Sequence, residues 1–376
     1  MKAGIKKSKP FTFTLNLKNY IQYKFFNRVI KSNEKDALIK NTSISSRRLL
    51  QIISHFLSSG YNCYLDYSFL QYLSLKQGKY HIYHTLLEGV NPTNKKIKYF
   101  PVIISDSKKT LDSFDSNSLK ICVNHLMMKD RYNNISAVTE NDFYYPIALH
   151  KNFLNPAFEA EILKSVLKYE RKIGAIFAGK ATINFKKNSY NRSTTKELLN
   201  INTRFEVFSY ICEKLPEEYL YLPDSLEAFL NDMESGYLKN KIVLLNTKER
   251  FSIPRDKYFY VLLNSNFFIH MAGTGFPFCH NQMESMLAGC IPITQFARFF
   301  VPNFKHELNS LLYNTLDELI LLLSNVASDK YLNSVSSMHT EVVSYYKKYY
   351  SFDSFKNKLD YLIKNNIKCS NYFVHK

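Results

Sequence analysis

The sequence has no tryptophan and only 10 glycines in 376 residues. Its six cysteines, Cys63, Cys122, Cys212, Cys279, Cys290 and Cys369, form no CxxC pair, which argues against a structural zinc site and against a disulfide scaffold. No run of about eighteen apolar residues occurs, so no membrane-spanning helix is expected. The basic opening MKAGIKKSKPFTFTLNLKNY is not followed by an apolar core, which argues against a secretory signal. These absences together lead to a reducing cytoplasm as the expected compartment. There is no internal repeat and no low-complexity tract. Neither an RNP-type aromatic pair nor zinc-finger spacing is present, so sequence-specific nucleic-acid binding is not expected. No GxGxxG follows an early strand, which weakens an NAD-type reading.

What is present is length, aromatic bulk and positive charge. A chain of 376 residues suits two domains better than one. The 28 Tyr and 29 Phe imply aromatic-rich packing. Fifty cations against thirty-two anions give a net charge of +18, a field that attracts nucleotides, anionic lipid head groups, acidic sugars or nucleic acid without selecting one. A composition biased toward Lys, Asn, Ile, Tyr and Phe accounts for part of that charge.

Along the chain, helical and strand patterns alternate. SSRRLLQIISHFLSSGY places Leu49, Ile52, Ile53, Phe56 and Leu57 at helical spacing and stops at Gly60. NCYLDYS, YFPVIISDS, LKICVNHLM and YYPIAL read as short strands. A helical segment, PAFEAEILKSVLKYERK, bridges to a second half that opens with the strand KIGAIFAG. KNKIVLLN, FFIHMAG, CIPIT and SLLYN are further strands, separated by helical stretches, and the chain from about Ser334 to Asn365 reads as helices. Near-continuous apolar strands alternating with helices imply parallel sheets covered on both faces. The expected architecture is therefore α/β, two doubly wound Rossmann-like domains facing a cleft, with a helical C-terminal tail. The expected boundaries are 1–155, a linker helix 156–170, a second domain 171–335, and helices 336–376 packing back across the domains.

Three of the ten glycines fall in HMAGTGFPFCHNQMESMLAGCIPIT, residues 270–294. A strand, a glycine turn and a helix leave unpaired N–H groups at the helix start, where phosphate binds well. Gly273, Thr274 and Gly275 would form that turn, because glycine lets the backbone approach a ligand with no Cβ in the way. Gly289 is most simply a helix C-cap. His280 and Glu284 stand four apart and share a helix face. Glu284 could accept two hydrogen bonds from the vicinal hydroxyls of a ribose, or could simply complement the helix dipole.

The order of elements in YFYVLLNSNFFIHMAGTGFPFCHNQMESMLAGCIPIT resembles the nucleotide-sugar-binding segment of GT-B glycosyltransferases, nearest to the exostosin-type group. The residues that carry the resemblance are Phe268, Gly273, Gly275, Glu284, Gly289, Cys290, Ile291, Pro292 and Ile293. It implies a glycosyltransferase in which Glu284 holds the donor ribose. Many retaining members carry a second Glu eight positions earlier; here that position is Phe276, which favours an inverting transfer. The match covers about 40 residues, and the first half shows no family motif.

In such enzymes the loop after the first strand of the donor domain supplies cations to the donor diphosphate. Here Gly179 and Lys180 begin that loop, Lys186, Lys187 and Arg192 follow, and Arg204 lies further along. Arg192 is the first choice because a guanidinium grips two phosphate oxygens at once. The bland reading is a solvated basic loop in a lysine-rich chain. Metal-dependent glycosyltransferases of the other main fold use Asp-x-Asp, whereas LDSFDSNS spaces Asp112 and Asp115 too widely, so no metal and no other cofactor is expected. His81 and His84 lack a third ligand and read as ordinary loop or helix residues.

An inverting transfer needs a general base for the acceptor hydroxyl. Asp66 and Asp106 follow apolar strands of the first domain and rank equally, with His125 third; each is also explained as a turn or capping residue. The expected partners are a nucleotide-sugar donor and a glycan or lipid-linked acceptor, in surface polysaccharide or lipopolysaccharide assembly, with peripheral contact to an anionic inner membrane face left open. The rival readings are a non-catalytic nucleotide- or glycan-binding protein of the same fold, and a basic nucleic-acid-binding protein.

Overall fold

The computed structural model describes residues 35–40, 46–66, 90–92, 100–126, 138–147, 149–150, 153–181, 196, 199–246, 251, 253–272 and 277–375. In the first half these form β1 (Asp36–Lys40), α1 (Ser46–Ser58), β2 (Asn62–Asp66), β3 (Val90–Pro92), β4 (Val102–Ser105), α2 (Lys108–Asp112), β5 (Leu119–Leu126) and β6 (Phe143–Tyr144). Helix α3 (Pro156–Ser165) follows, capped by the Asn155 side chain and started by proline. Then come β7 (Ile173–Gly179), α4 (Arg204–Lys214), β8 (Leu220–Tyr221), α5 (Leu226–Glu234), β9 (Ile242–Asn246), α6 (Arg255–Leu263), β10 (Ser265–His270), α7 (His280–Leu287), β11 (Ile291–Thr294), β12 (Leu311–Leu312) and α8 (Leu316–Ala327). The chain closes with α9 (Val335–Tyr349), α10 (Phe352–Lys364) and β13 (Cys369–His375).

All the strand pairings are parallel. One sheet has the order β3-β2-β1-β4-β5-β13-β6 and the other β12-β11-β10-β7-β9-β8. The central strands are apolar and buried along their length: β4 is buried at every position, and β7 at every position but Gly179. That is the pattern of a parallel sheet covered on both faces. The α/β class with two doubly wound sheets follows from this topology.

Each sheet has one place where the winding reverses. In the first, the chain runs from β1 outward through β2 to β3, then returns to place β4 on the other side of β1. In the second, it moves from β7 to β8 and β9, then crosses to β10 on the other side of β7. The crevices beyond the carboxyl ends of β1/β4 and β7/β10 are therefore the topological switch points, where ligands of such folds bind.

The C-terminal stretch departs from the expected helical tail. Helices α9 and α10 form, but CSNYFVH is strand β13, inserted between β5 and β6. Tyr372 and Phe373 are buried, while Ser370 and Asn371 bond to Asn141 and Asp142. Aromatic residues beside polar ones that find partners on the neighbouring loop suit a pleated strand. YYPIAL, read as a strand, contributes only its start: β6 covers Phe143–Tyr144, and Pro146 follows with no N–H to give a ladder.

The chain passes from the first sheet to the second through residues 145–172 and returns through residues 335–368. His339 on α9 donates from Nδ1 to the carbonyl of Gly289 at 2.6 Å, and its Nε2 lies 3.0 Å from the Asn266 side-chain amide, on the side of the second sheet. On α10, Phe355 stacks on His55 of α1, on the side of the first.

Candidate donor site

The second switch point is built by four segments. Strand β7 ends at Gly179, where an added Cβ would come within 2.9 Å of the Phe177 ring and 3.6 Å of Arg204 Nη1. Strand β10 ends at His270, and a parallel bridge pairs Ala272 with Thr203. Thr203 caps α4 in a capping box with Glu206, whose carboxylate accepts from the Thr203 N–H at 2.8 Å. Cys279 caps α7, with the Gln282 side chain accepting from its N–H at 3.2 Å.

Arg204, the first residue of α4, lies between these segments. Its Nη1 donates to the Lys180 carbonyl at 3.1 Å and its Nη2 contacts Cys279 Sγ at 3.3 Å. The guanidinium carbon sits 5.6 Å from the Phe177 ring centroid, and Nε has no partner. None of these partners is a carboxylate, so among the described residues no acid pairs with the positive charge. Asn281, on the first turn of α7, donates to the Ala178 carbonyl at 3.2 Å and holds the helix start against the end of β7. Two helix N-termini and the Arg204 guanidinium thus share the crevice, an arrangement suited to an anion such as a diphosphate.

Glu284 lies one turn along α7 and is 1% exposed. Its Oε1 accepts from the His150 N–H at 2.9 Å, and it shares a hydrogen bond with the Tyr258 hydroxyl. Burial, and then the Glu284 charge, raise the Tyr258 hydroxyl well above its usual range, so it remains a donor. The rings of His150 and His280 are 5.1 Å apart. His270 is buried with Nε2 3.3 Å from Ser285 Oγ, and burial pushes its imidazole down to about 3, which keeps it neutral. The apolar face expected for α7 from Met283, Met286 and Leu287 is buried, but so are Asn281, Gln282, Glu284 and Ser285. The helix is enclosed because it packs against α3, α6, α9, β10 and β11 at once.

Of the donor residues expected from sequence, Gly179, Lys180, His280 and Glu284 stand at this crevice or on the helix beginning there. Arg192, Gly273, Thr274 and Gly275 lie outside the described residues, as do Lys186, Lys187, Phe276, His81 and His84. Arg204, which the sequence placed further along than Arg192, is a cation at the crevice among the described residues. Its signal was the sequence TRFE, a Thr with Glu three positions on that marks a helix start. Cys279, Asn281, Tyr258 and His150 were not anticipated, because their roles come from contacts across the sheet and across the domain junction.

At the first switch point, Asp106 immediately follows β4 and is half-buried; burial and then its charge raise the Cys122 thiol. Asp66 is the last residue of β2, in register with Lys40. His125 is the penultimate residue of β5, paired with Val374. All three lie at the carboxyl edge of the first sheet. Asp106 borders the reversal itself, with Asp66 and His125 each one strand further out. Among the described residues no group of three or more His, Cys, Asp or Glu could hold a metal ion, and no helix is long and apolar enough to cross a membrane.

No protein-family model matches the chain, and no curated protein sequence matches it. Among solved structures, Anabaena HepE in complex with UDP is similar at 11% identity, covering 88% of this chain and 100% of that one, with a TM-score of 0.48. A glycosyltransferase from Rickettsia africae is similar at 11% identity over 89% of this chain and 99% of its own, TM-score 0.43. AviGT4, a glycosyltransferase involved in avilamycin A biosynthesis, is similar at 8% identity over 88% of this chain and 97% of its own, TM-score 0.41. The two doubly wound parallel sheets, each with its own switch-point crevice, are the α/β architecture expected from the sequence.

Proposed function

We propose that the protein is a glycosyltransferase that takes a nucleotide-sugar donor at the β7/β10 crevice and transfers its sugar to an acceptor bound at the first sheet. The observation that carries this reading is Arg204, a guanidinium with no carboxylate partner among the described residues, set between the starts of two helices at a switch point. As the glycosidic bond breaks, the nucleoside diphosphate gains negative charge. Arg204, the N-terminus of α7 and the adjacent Lys180 would stabilise it with no resident metal.

Glu284 would accept the ribose hydroxyls. A carboxylate has about four acceptor positions, so bonds to the His150 N–H and the Tyr258 hydroxyl leave room for two more. Because Glu284 is 1% exposed, donor entry would displace neighbouring groups around it.

Asp106 is the first candidate for the base that deprotonates the acceptor hydroxyl, since it borders the first switch point; Asp66 and His125 follow it. Phe276, in place of a second acid, favours inversion. The acceptor class is a glycan or lipid-linked sugar of surface polysaccharide or lipopolysaccharide assembly. The net charge of +18 favours work at the cytoplasmic face of an anionic membrane.

The test is thermal stabilisation by UDP, GDP, CMP, ADP and NAD on the native chain, on Arg204→Ala and on Glu284→Ala. A ligand at a hundred times its dissociation constant adds roughly 2.7 kcal/mol of stability. Stabilisation by one nucleoside phosphate, lost in Arg204→Ala, supports the donor site. Stabilisation by none overturns it.

A further inference from the structure

The two passages of chain between the sheets meet at one carboxylate. Glu159, on α3, belongs to the outward passage; Tyr346 on α9 and Phe352 at the start of α10 belong to the return. Glu159 Oε1 is 2.8 Å from the Tyr346 hydroxyl, and Oε2 accepts from the Phe352 N–H at 2.9 Å. The residue is 4% exposed, and among the described residues no cation offsets its charge.

We propose that Glu159 is a proton-operated clasp on the domain junction, holding α3 to the returning chain when its carboxyl is protonated and releasing it on ionisation. When neutral, the carboxyl keeps both contacts: Oε2 still accepts from Phe352, and the 2.8 Å contact with Tyr346 works with donor and acceptor exchanged. When ionised, it still accepts both hydrogen bonds but holds a negative charge in an enclosed site with no cation among the described residues, and water relieves that charge fully only if the junction opens.

Beyond the two hydrogen bonds, the described surroundings supply no positive charge to hold the carboxylate. From α9 and its end come the hydroxyls of Tyr346 and Tyr350, from the segment after β6 that of Tyr145, and from α10 Asp353, whose like charge opposes ionisation. His55 of α1 lines the same small cavity, but burial keeps it neutral. Glu284 acts on the far side of Tyr346, again with negative charge. Burial, the largest cause, lifts the Glu159 carboxyl from 4.5 to about 7, against the two hydrogen bonds.

Opening therefore releases a proton between the carboxyl's ordinary range and about 7, and is pH-independent above that. Hydrogen exchange at the Phe352 amide, expressed as a protection factor, reads the opening directly. In the native chain, protection is expected to fall by up to about tenfold per pH unit from pH 5 to 7 and then level off. In Glu159→Gln it should be flat across that range. In Asp353→Asn, an exposed substitution that leaves the core intact, the levelling point should move to lower pH. A pH-independent protection factor in the native chain overturns the proposal, as does an equal slope in Glu159→Gln or an unmoved levelling point in Asp353→Asn. The readout involves no nucleotide, so it stands or falls apart from the donor reading.

Discussion

Arg204 Nη2 and Cys279 Sγ lie 3.3 Å apart, and that contact joins the first residue of α4 to the residue that caps α7. These helices are far apart in sequence, and each carries a partial positive charge at its start. Bringing the two starts together and adding a guanidinium costs electrostatic energy; Glu206 offsets it at the start of α4, and among the described residues no carboxylate pairs with Arg204. An anionic ligand would remove that cost.

Arg204→Ala should weaken nucleoside-diphosphate binding by about 10–100-fold, the range of a charge-assisted hydrogen bond of about 1.5–3 kcal/mol. Arg204→Lys should recover only part of it, since an ammonium cannot span two oxygens as the planar fork does. Titration calorimetry with the nucleotide that stabilises the native chain measures both. Equal affinity in all three proteins would remove Arg204 from the site.

Glu284→Ala should act on the fold as well as on the ligand. The His150 N–H and the Tyr258 hydroxyl would lose their acceptor in a buried place, at a cost of about 1–3 kcal/mol. Urea unfolding measures that loss. Glu284→Gln keeps one acceptor and should be milder in stability while still impairing the nucleotide. Loss of stability in Ala with native nucleotide affinity in Gln would mark the residue as structural only.

Three buried histidines set the acid limit. Burial pushes His55 and His270 down to about 3 and His339 to about 4, from 6.5 when unfolded. Between about 6.5 and those values the unfolded chain binds more protons than the folded one. Stability therefore rises with pH across that window and is lost as pH falls below about 6.5, at up to about 1.4 kcal/mol per pH unit for each group. Melting temperatures from pH 7 to 4 should fall steeply, and His270→Gln should shallow the slope by one proton. An unchanged slope in that variant would show that His270 protonates in the folded state.

Gly289→Ala should destabilise by about 2 kcal/mol or more. Gly289 ends α7 at φ +74, a left-handed conformation that costs other residues about 1–2 kcal/mol, and a Cβ there would come within 2.9 Å of Arg171 Nη2. Arg171 donates to the carbonyls of Val166, Leu262, Ser265 and Ala288, so moving it disturbs four hydrogen bonds to three chain segments at once. Denaturant unfolding checks this; a loss below about 0.5 kcal/mol would mean that Arg171 yields freely.

Much of this was legible in the chain. Apolar spacing located α1 and β7, Gly60 and Gly289 closed their helices at positive φ, and the glycine-bearing 270–294 stretch fell at a switch point. Periodicity reports only which face of an element is buried, and that limit explains the rest. It could not show that α7 is enclosed on every side, so the Glu284 carboxylate could not be seen to meet the His150 amide. Strand β13 escaped because its seven residues follow two helices and its neighbours, β5 and β6, lie more than two hundred positions earlier.

The position of β13 also sets a timetable for synthesis. Strand β5 ends at Leu126 and β13 at His375, so about 250 residues must be added before the two can pair. At about 5–20 residues per second that is roughly 12–50 s. Throughout that interval one edge of β5, its backbone groups unpaired, is available to other chains, and the whole second sheet is made while the first still waits for its sixth strand in spatial order. Removing residues 369–375 would make that temporary state permanent, leaving a lasting edge open to aggregation in the domain that would hold the acceptor.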